Sequence, residues 1–198
     1  MNRTFTAGVF ALATLASTSA FSQAYVSGAV GGSHASIDCS GADSCSNNAT
    51  AAKAIVGYDF GNRLAVEGMI VSLGSPHGVA EGVRVDIKSS FWGLGVAYRP
   101  DFGNNWSGVA RLGAAFTTSR IEGSQASVDA NGGVDLFQIV AQSYHSTSAY
   151  AGLGVAYAVA KDVKIEADLD STRISVFSGT DRQTARVIDY TVGVTFQF

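Results

Sequence analysis

Apolar and polar residues alternate with a period of two through most of the chain. The last segment shows this most clearly, because one parity is apolar to the final residue while the other carries polar or small residues. A period of two predicts β-strands with one apolar and one polar face. We expect eight strands, over residues 25–37, 54–60, 63–73, 84–98, 106–116, 149–157, 163–170 and 188–198.

The polar face of these strands carries charge in mid-strand. In the seventh strand every second residue is charged, and the four are Lys164, Glu166, Asp168 and Asp170. Buried charge is costly unless it is paired, so this face must meet water or balancing charges.

The predicted connections alternate strictly in length. Short ones at 61–62, 100–105 and 160–162 follow the second, fourth and sixth strands, and longer polar ones, about 38–50, 74–82, 120–146 and 175–183, follow the others. This asymmetry is typical of an up-and-down barrel inserted in a membrane from one side, although a soluble lipocalin-like barrel shares it. Outward aromatic residues near strand ends and the inward charges favour the membrane barrel.

The fourth strand changes parity. Its apolar residues up to Ile87 are odd-numbered, whereas those from Trp92 onward that face outward are even-numbered. The change predicts a bulge or the membrane edge near Ser89 and Ser90.

Composition and strand number exclude several classes of function. Only 15% of the 198 residues are charged and the formal net charge is −3, so the chain has no basic footprint for nucleic acid. An interior of eight strands is just wide enough for side chains, which excludes a wide pore. The glycines alternate within strands instead of opening a helix, so we expect no phosphate-binding loop and no cofactor.

Residues 1–24 have the pattern of a cleaved secretory signal peptide. Arg3 precedes an apolar stretch at residues 7–16, and small or polar residues end at Ala24, the expected cleavage site, with Ala20 as the second choice. The apolar stretch is too short to span a membrane as a helix. We therefore expect export, with residues 25–198 forming one barrel domain.

Several segments resemble one family of bacterial proteins. Residues 190–198, YTVGVTFQF, resemble the terminal strand of outer membrane barrels, whose closing aromatic residue is read by the barrel-assembly machinery; Phe196 and Phe198 would carry that signal here. Strands of the OmpA-like transmembrane domain and of opacity-type barrels are similar to residues 55–60, 64–68, 111–115 and 152–157. The resemblance covers residues 25–198 and implies an all-β, eight-stranded antiparallel up-and-down transmembrane β-barrel of the bacterial outer membrane. The peptidoglycan-binding domain of full-length OmpA is not expected.

Inward-facing charges at similar heights predict an interior charge cluster. Counted from the short turns, Glu67, Arg111 and Glu166 lie about three to five residues into their strands, so at a rise of about 3.3 Å per residue they can share one layer. Lys164 lies below them as a second cation. Comparable ion pairs plug or gate the lumen of OmpA-like barrels, and the resemblance implies the same here. The alternative is a structural polar core with no role in transport.

The two cysteines, Cys39 and Cys45, lie in the first long connection. Export places them in an oxidising compartment, which favours a disulfide between them. A metal site is the rival interpretation, but His34 is the only nearby imidazole and zinc needs about four ligands.

The longest connection, residues 120–146, leaves two structures open. Its Asn131-Gly132-Gly133 sequence is a hairpin-turn signal and would let the fifth and sixth strands extend beyond the membrane. Its apolar residues from Leu136 to Val140 also fit a short amphipathic helix. Either form exposes apolar groups to a host or neighbouring surface protein.

The sequence therefore predicts a non-enzymatic outer membrane barrel with a structural or adhesin-like role. Expected partners are outer membrane lipids and lipopolysaccharide, the barrel-assembly machinery, and a host or neighbouring surface protein at the outer loops. A narrow ion-conducting channel and a soluble exported barrel remain alternatives. A lipid A-modifying enzyme is a weaker one, since His145 and Thr147 only partly match the His-x-Ser arrangement of lipid A deacylases and no carboxylate completes the site.

Overall fold

The computed structural model describes residues 23–36, 43–75, 77–80, 83–128, 134–178 and 181–198. Eleven β-strands make up most of this part of the chain. They are β1 Ala24–Ala35, β2 Ser44–Ser46, β3 Asn48–Asp59, β4 Leu64–Ser72, β5 His77–Ala80, β6 Val83–Tyr98, β7 Asp101–Gly103, β8 Trp106–Val128, β9 Val134–Ala160, β10 Val163–Ser178 and β11 Asp181–Gln197. Within the described ranges, no α-helix has the length and hydropathy of a membrane crossing.

Eight of these strands close into a barrel. The hydrogen-bonded order runs β6, β4, β3, β1, β11, β10, β9 and β8, and β8 pairs back to β6. Each pairing in this ring is antiparallel. The short strands β2, β5 and β7 attach beside the ring. The structure confirms the predicted all-β, eight-stranded antiparallel up-and-down barrel.

The two ends of the barrel differ in their connections. At the short-turn end, residues 60–63 link β3 to β4, residues 99–105 link β6 to β8, and residues 161–162 link β9 to β10. The first of these turns contains Gly61 at a φ of +79°, whose amide donates to Oδ1 of Asp59 at 2.7 Å. The other end, which we call the long-connection end, carries the remaining links. Outer membrane barrels place short turns in the periplasm and longer connections outside.

Side-chain alternation separates a lumen from an outer surface. Large apolar side chains are exposed on every strand of the ring, as with Val30, Ile70 and Leu153, each at 68%. We call this outward surface the apolar belt. A soluble lipocalin-like barrel would keep its apolar face inside, so the belt excludes that alternative. The aromatic residues predicted to face outward near strand ends do so: Tyr58, Phe60, Tyr98, Trp106, Tyr157, Phe196 and Phe198.

The lumen is layered. Its charged side chains lie toward the short-turn end, and a layer of apolar side chains lies on the long-connection side of them, followed by the buried hydroxyls of Ser89, Thr117 and Ser119. The apolar layer, which we call the apolar cap, consists of Met69, Val71, Leu73, Phe91, Tyr150, Ile174 and Val187, each no more than 3% exposed. Within the cap, the rings of Phe91 and Tyr150 lie 6.3 Å apart between centroids.

Of the two explanations predicted for the parity change in the fourth strand, the bulge near Ser89 and Ser90 is wrong. β6 pairs with β8 along its whole length without a register shift. The odd-numbered positions Ser89, Phe91 and Gly93 are buried and the even-numbered positions between them are exposed, so the strand keeps the same facing through the change. Outside, the even-numbered residues become polar between Trp92 and Lys88 because the strand leaves the apolar belt.

The last four strands of the ring run beyond their predicted bounds, and for β8 and β9 this is the extension that the hairpin alternative predicts. β8 ends at Val128 and β9 begins at Val134, and the two strands pair up to these residues, so the described residues 120–128 and 134–146 are strands of a hairpin and not a helix. β10 and β11 likewise cross most of the predicted loop at 175–183. Continued pairing satisfies the backbone groups of both hairpins, which polar loops of this length would leave to water.

Candidate functional site

Arg111 on β8 lies at the centre of the charged layer. Its Nε donates to Oε2 of Glu67 on β4 at 2.8 Å, and its Nη1 donates to Oδ1 of Asp168 on β10 at 2.7 Å. Its Nη2 donates to Oε1 of Glu166, also on β10. One fully buried cation therefore joins three carboxylates from strands on both sides of β8. Charge-assisted bonds of this kind are roughly twice as strong as neutral ones.

A second arginine, Arg99, follows β6 and lies on the short-turn side of Arg111. Its Nη1 donates to Oε1 of Glu67 at 3.3 Å, and its Nη2 donates to Oε2 of Glu166 at 2.8 Å. Its guanidinium carbon lies 4.8 Å from the centroid of the Tyr25 ring, a cation–π contact. The Tyr25 hydroxyl donates to Oε1 of Glu67 at 2.5 Å. Every carboxylate oxygen of Glu67 and Glu166 therefore accepts a hydrogen bond.

Lys53 on β3 extends these contacts toward the long-connection end. Its Nζ donates to Oδ2 of Asp168 at 2.9 Å and to Oδ2 of Asp170 at 2.5 Å. The three side chains are between 1% and 3% exposed. We use the name ion network for the connected set Lys53, Glu67, Arg99, Arg111, Glu166, Asp168 and Asp170.

Carboxylates outnumber cations in this part of the lumen. Asp189 on β11 is the register partner of Asp170 and is 1% exposed. Neither oxygen of its carboxylate has a hydrogen-bond partner among the described residues. Together with the ion network, it makes five buried carboxylates against three cations in the described lumen. The described part of the chain contains no group of three or more His, Cys, Asp or Glu side chains arranged to hold a metal ion.

Glycines in the wall give the large lumenal side chains room. A Cβ atom on Gly57 would overlap the ring of Tyr25, which lies across β3 at that point. A Cβ atom on Gly152 would overlap the carboxylate of Asp170 in the same way. Close approach of these side chains to the backbone therefore requires glycine.

The structure brings three of the four predicted cluster residues into contact. Glu67, Arg111 and Glu166 are bonded directly, whereas Lys164 forms no ion pair with any described residue and lines a cavity at the short-turn end. Arg99 supplies the second cation instead. Sequence analysis missed Arg99 and Lys53, because Arg99 follows the last strand residue and Lys53 precedes the predicted start of its strand.

Other predicted site residues lie on the outer surface or outside the described residues. Phe196 and Phe198 are exposed, and the backbone amide of Phe198 donates to the carbonyl of Ala24 at 2.9 Å. Their role in barrel assembly stays a prediction. Cys39 lies outside the described residues, so its disulfide with Cys45 also stays a prediction. The same is true of the signal peptide, since the described part begins at residue 23.

Comparison with known proteins supports this architecture. The family model described as "Outer membrane protein beta-barrel domain" matches residues 5–198. The crystal structure of neisserial surface protein A is similar at 17% identity, covering 88% of this chain and 97% of that chain, with a TM-score of 0.62. Ail, the attachment invasion locus protein of Yersinia pestis, is similar at 16% identity, covering 89% and 99%, with a TM-score of 0.51.

A major outer membrane protein from Thermus thermophilus is 15% identical over 88% of this chain and 99% of that chain, with a TM-score of 0.51. At such identities the structural likeness concerns the fold alone. Comparison with curated proteins gave no match. The family match, by contrast, spans nearly the whole sequence. This chain belongs to the outer membrane protein beta-barrel domain family and is a protein of the bacterial outer membrane.

Proposed function

We propose that this protein is a non-enzymatic, adhesin-like surface-interaction protein of the outer membrane. Its barrel anchors the protein in the membrane, and side chains plug the lumen of the barrel. The observation that carries the proposal is the hairpin of β8 and β9, which continues far beyond the apolar belt. Phe116 stacks on Trp92 at the upper edge of the belt, the next two even-numbered residues of β8 are the exposed Thr118 and Arg120, and the strand runs on to Val128. At about 3.3 Å per residue, those twelve residues extend the hairpin by roughly 40 Å along the strand.

The width of the exposed sheet also supports a role in contact. β6 pairs with β8 up to Val83, β5 pairs with β6, and β2 pairs with β5. The hairpin therefore belongs to a five-stranded sheet outside the apolar belt, and three or more strands are needed for independent stability. One of the structurally similar proteins, Ail, has been solved in complex with the heparin analogue sucrose octasulfate.

Two layers support the plug. The ion network ties β3, β4, β8 and β10 together across the lumen. The apolar cap fills the lumen on the long-connection side of it. An eight-stranded barrel is narrow enough for such side chains to close it.

The adhesive role is tested with bacteria that display the protein with and without residues 121–145. This deletion leaves Thr117 paired with Ser146 and three residues for the connection. A matched control replaces residues 176–183 by Asn-Gly, which shortens the other hairpin above its Ser175–Thr184 pair. We expect the deletion, and not the control, to reduce binding to host cells or to neighbouring bacteria. Equal binding by all three strains would remove the adhesive role.

A narrow cation-conducting channel is the second candidate, because the lumen holds more carboxylates than cations. Planar-bilayer recordings separate the two. The plug predicts negligible conductance for the wild type, and a steady cation-selective conductance would favour the channel. Conductance that appears in Arg111→Ala assigns the block to the ion network, and conductance that appears only in Phe91→Ala assigns it to the apolar cap.

The enzyme alternative has less support. The ring of His145 contacts Oγ1 of Thr118 through Nδ1 at 3.1 Å, and no carboxylate among the described residues contacts the ring. A nucleophilic site needs a third group to orient its base. Loss of acyl chains from lipid A on expression, abolished in His145→Ala, would establish the enzyme and overturn this part of the proposal.

A further inference from the structure

A cleft opens in the outer surface where the ladder between β9 and β10 ends. The last backbone pair of that ladder is Ala151 with Ser171. Beyond it the strands are joined through side chains, since Oγ of Ser148 donates to the carbonyl of Arg173 at 2.8 Å and lies 3.1 Å from Oγ1 of Thr172. The cleft has a volume of about 580 Å³.

Two arginines line this cleft side by side. Arg173 on β10 and Arg186 on β11 are direct register partners, and both side chains are exposed on the outer face. Nε of Arg186 donates to Oγ of Ser171 at 3.0 Å, which holds it toward the cleft. Like charges directly opposite each other on neighbouring strands are destabilising. The pair therefore favours an anion placed between the two guanidinium groups.

Among the described residues, no acidic side chain neutralises the positive charge of these two arginines. None of the residues that line the cleft is Asp or Glu, and neither arginine forms an ion pair with a described residue. Hydroxyl groups complete the polar part of the lining, contributed by Thr147, Ser148, Ser171, Thr172 and Thr184. Ser148 and Thr172 already donate to backbone carbonyls, so the two guanidinium groups and the hydroxyls of Thr147, Ser171 and Thr184 form the donor set, which matches a phosphate group. We call this set the arginine cleft.

The arginine cleft lies at the upper edge of the apolar belt. Val163 and Phe196 are register partners near the short-turn end, and Arg173 and Arg186 lie ten residues further along the same strands. With a rise of about 3.3 Å per residue and a tilt of roughly 40°, ten residues rise about 25 Å along the barrel axis, which is the height of the apolar band of such barrels. Leu112, an exposed residue of the belt, contributes to the apolar part of the lining together with Ala149 and Ala151. The cleft thus offers donors at the level of lipid headgroups and an apolar wall beside them.

We propose that the arginine cleft binds the phosphate group of a lipid in the outer leaflet, with the acyl chains of the lipid lying against the apolar belt below. The combination of anion donors with Leu112 favours a lipid-borne phosphate over a free phosphate or a soluble polyanion, which would gain nothing from an apolar wall. The inference rests on the membrane position of the barrel and does not depend on the adhesive role.

The test measures lipid binding by the full exported protein in detergent micelles, using native mass spectrometry with lipid A and with dephosphorylated lipid A. We expect the wild type to bind lipid A about tenfold more tightly than the dephosphorylated form. The double variant Arg173→Gln/Arg186→Gln should lose that difference, whereas Arg173→Lys/Arg186→Lys should keep part of it because the charge remains. The control Lys88→Gln/Arg120→Gln, which removes exposed cations already near Glu122, should bind as the wild type does.

Several outcomes would overturn the proposal. Equal binding of both lipids by the wild type would do so even if the glutamine variant failed to fold. If the Lys88/Arg120 control lost the preference for lipid A over its dephosphorylated form to the same extent, the effect would be one of overall charge and not of the cleft. Inorganic phosphate that binds as tightly as lipid A would exclude a lipid-borne ligand, and tighter arginine-dependent binding of sucrose octasulfate would assign the cleft to a soluble polyanion instead.

Discussion

Nε of Arg111 lies 2.8 Å from Oε2 of Glu67, and this bond joins β8 to β4 across the intervening strand β6. Backbone ladders connect only neighbouring strands, so contacts of this kind add a second set of links inside the ring. Their consequences for stability can be measured one residue at a time.

Arg111→Met should destabilise the barrel by about 3–5 kcal/mol, because it leaves three buried carboxylates without their shared cation. The measurement is denaturant unfolding of the folded protein in micelles. The control is Lys88→Met, which breaks an exposed pair with Glu122 and should cost no more than about 1 kcal/mol. Equal losses in the two variants would show that the ion network adds no stability.

Asp189→Asn should raise the free energy of unfolding by about 1 kcal/mol, since the buried carboxylate has no hydrogen-bond partner among the described residues and faces Asp170. The same unfolding measurement on Asp168→Asn supplies the contrast. Asp168 bonds both Arg111 and Lys53, so its replacement should destabilise the protein. If Asp189→Asn destabilised the protein as much as Asp168→Asn does, the carboxylate of Asp189 would have to be a stabilising group, which would contradict the excess of carboxylates inferred for the lumen.

Gly57→Ala should destabilise the barrel by about 1–3 kcal/mol, because the new methyl group would overlap the Tyr25 ring and displace it from Glu67 and Arg99. Gly28→Ala is the matched control on the neighbouring strand. A Cβ atom there meets no other heavy atom within 4 Å, so the change should be neutral or stabilise the strand by up to about 1 kcal/mol. A neutral Gly57→Ala would mean that Tyr25 can leave its position at no cost.

The two tryptophans should report the two edges of the apolar belt. Trp106 packs on Tyr157 near the short-turn end, at 5.0 Å between ring centroids. Trp92 stacks on Phe116 at 4.1 Å, and Phe116 lies ten residues above Trp106 on β8. In single-tryptophan variants reconstituted with brominated lipids, both should be quenched most by bromine near the headgroups. If bromine at the bilayer centre quenched either tryptophan more strongly, the barrel would lie at a different depth in the membrane from the one inferred here.

The barrel itself was predictable because alternation with a period of two reports the two environments of each strand. Glu67, Arg111 and Glu166 could be placed together by counting from the short turns, as each lies within a strand of clear parity. Alternation predicts which face of the strand a residue occupies and how far along the barrel it lies, but it does not predict which groups a long side chain will contact. Lys164 is on the predicted face, yet it lines the cavity at the short-turn end instead of joining the ion network.

The missed members of the lumen share a different cause. Arg99 stands between the last residue of β6 and Pro100, where the strand period no longer assigns a face. Tyr25 starts the glycine-rich first strand, whose two faces look alike in the sequence. Whether either side chain enters the lumen depends on contacts from distant strands, which a local pattern does not contain.

Above the pair of Ala151 with Ser171, the wall of the barrel is no longer continuous. On one side of this seam stands the sheet that contains β8 and β9, and on the other stands the hairpin of β10 and β11. Insertions or deletions in one of these parts leave the strand count and stagger of the membrane ring unchanged. The exposed part of the molecule therefore consists of two structural units that can change in length independently, because the closure of the ring depends on the residues below the seam.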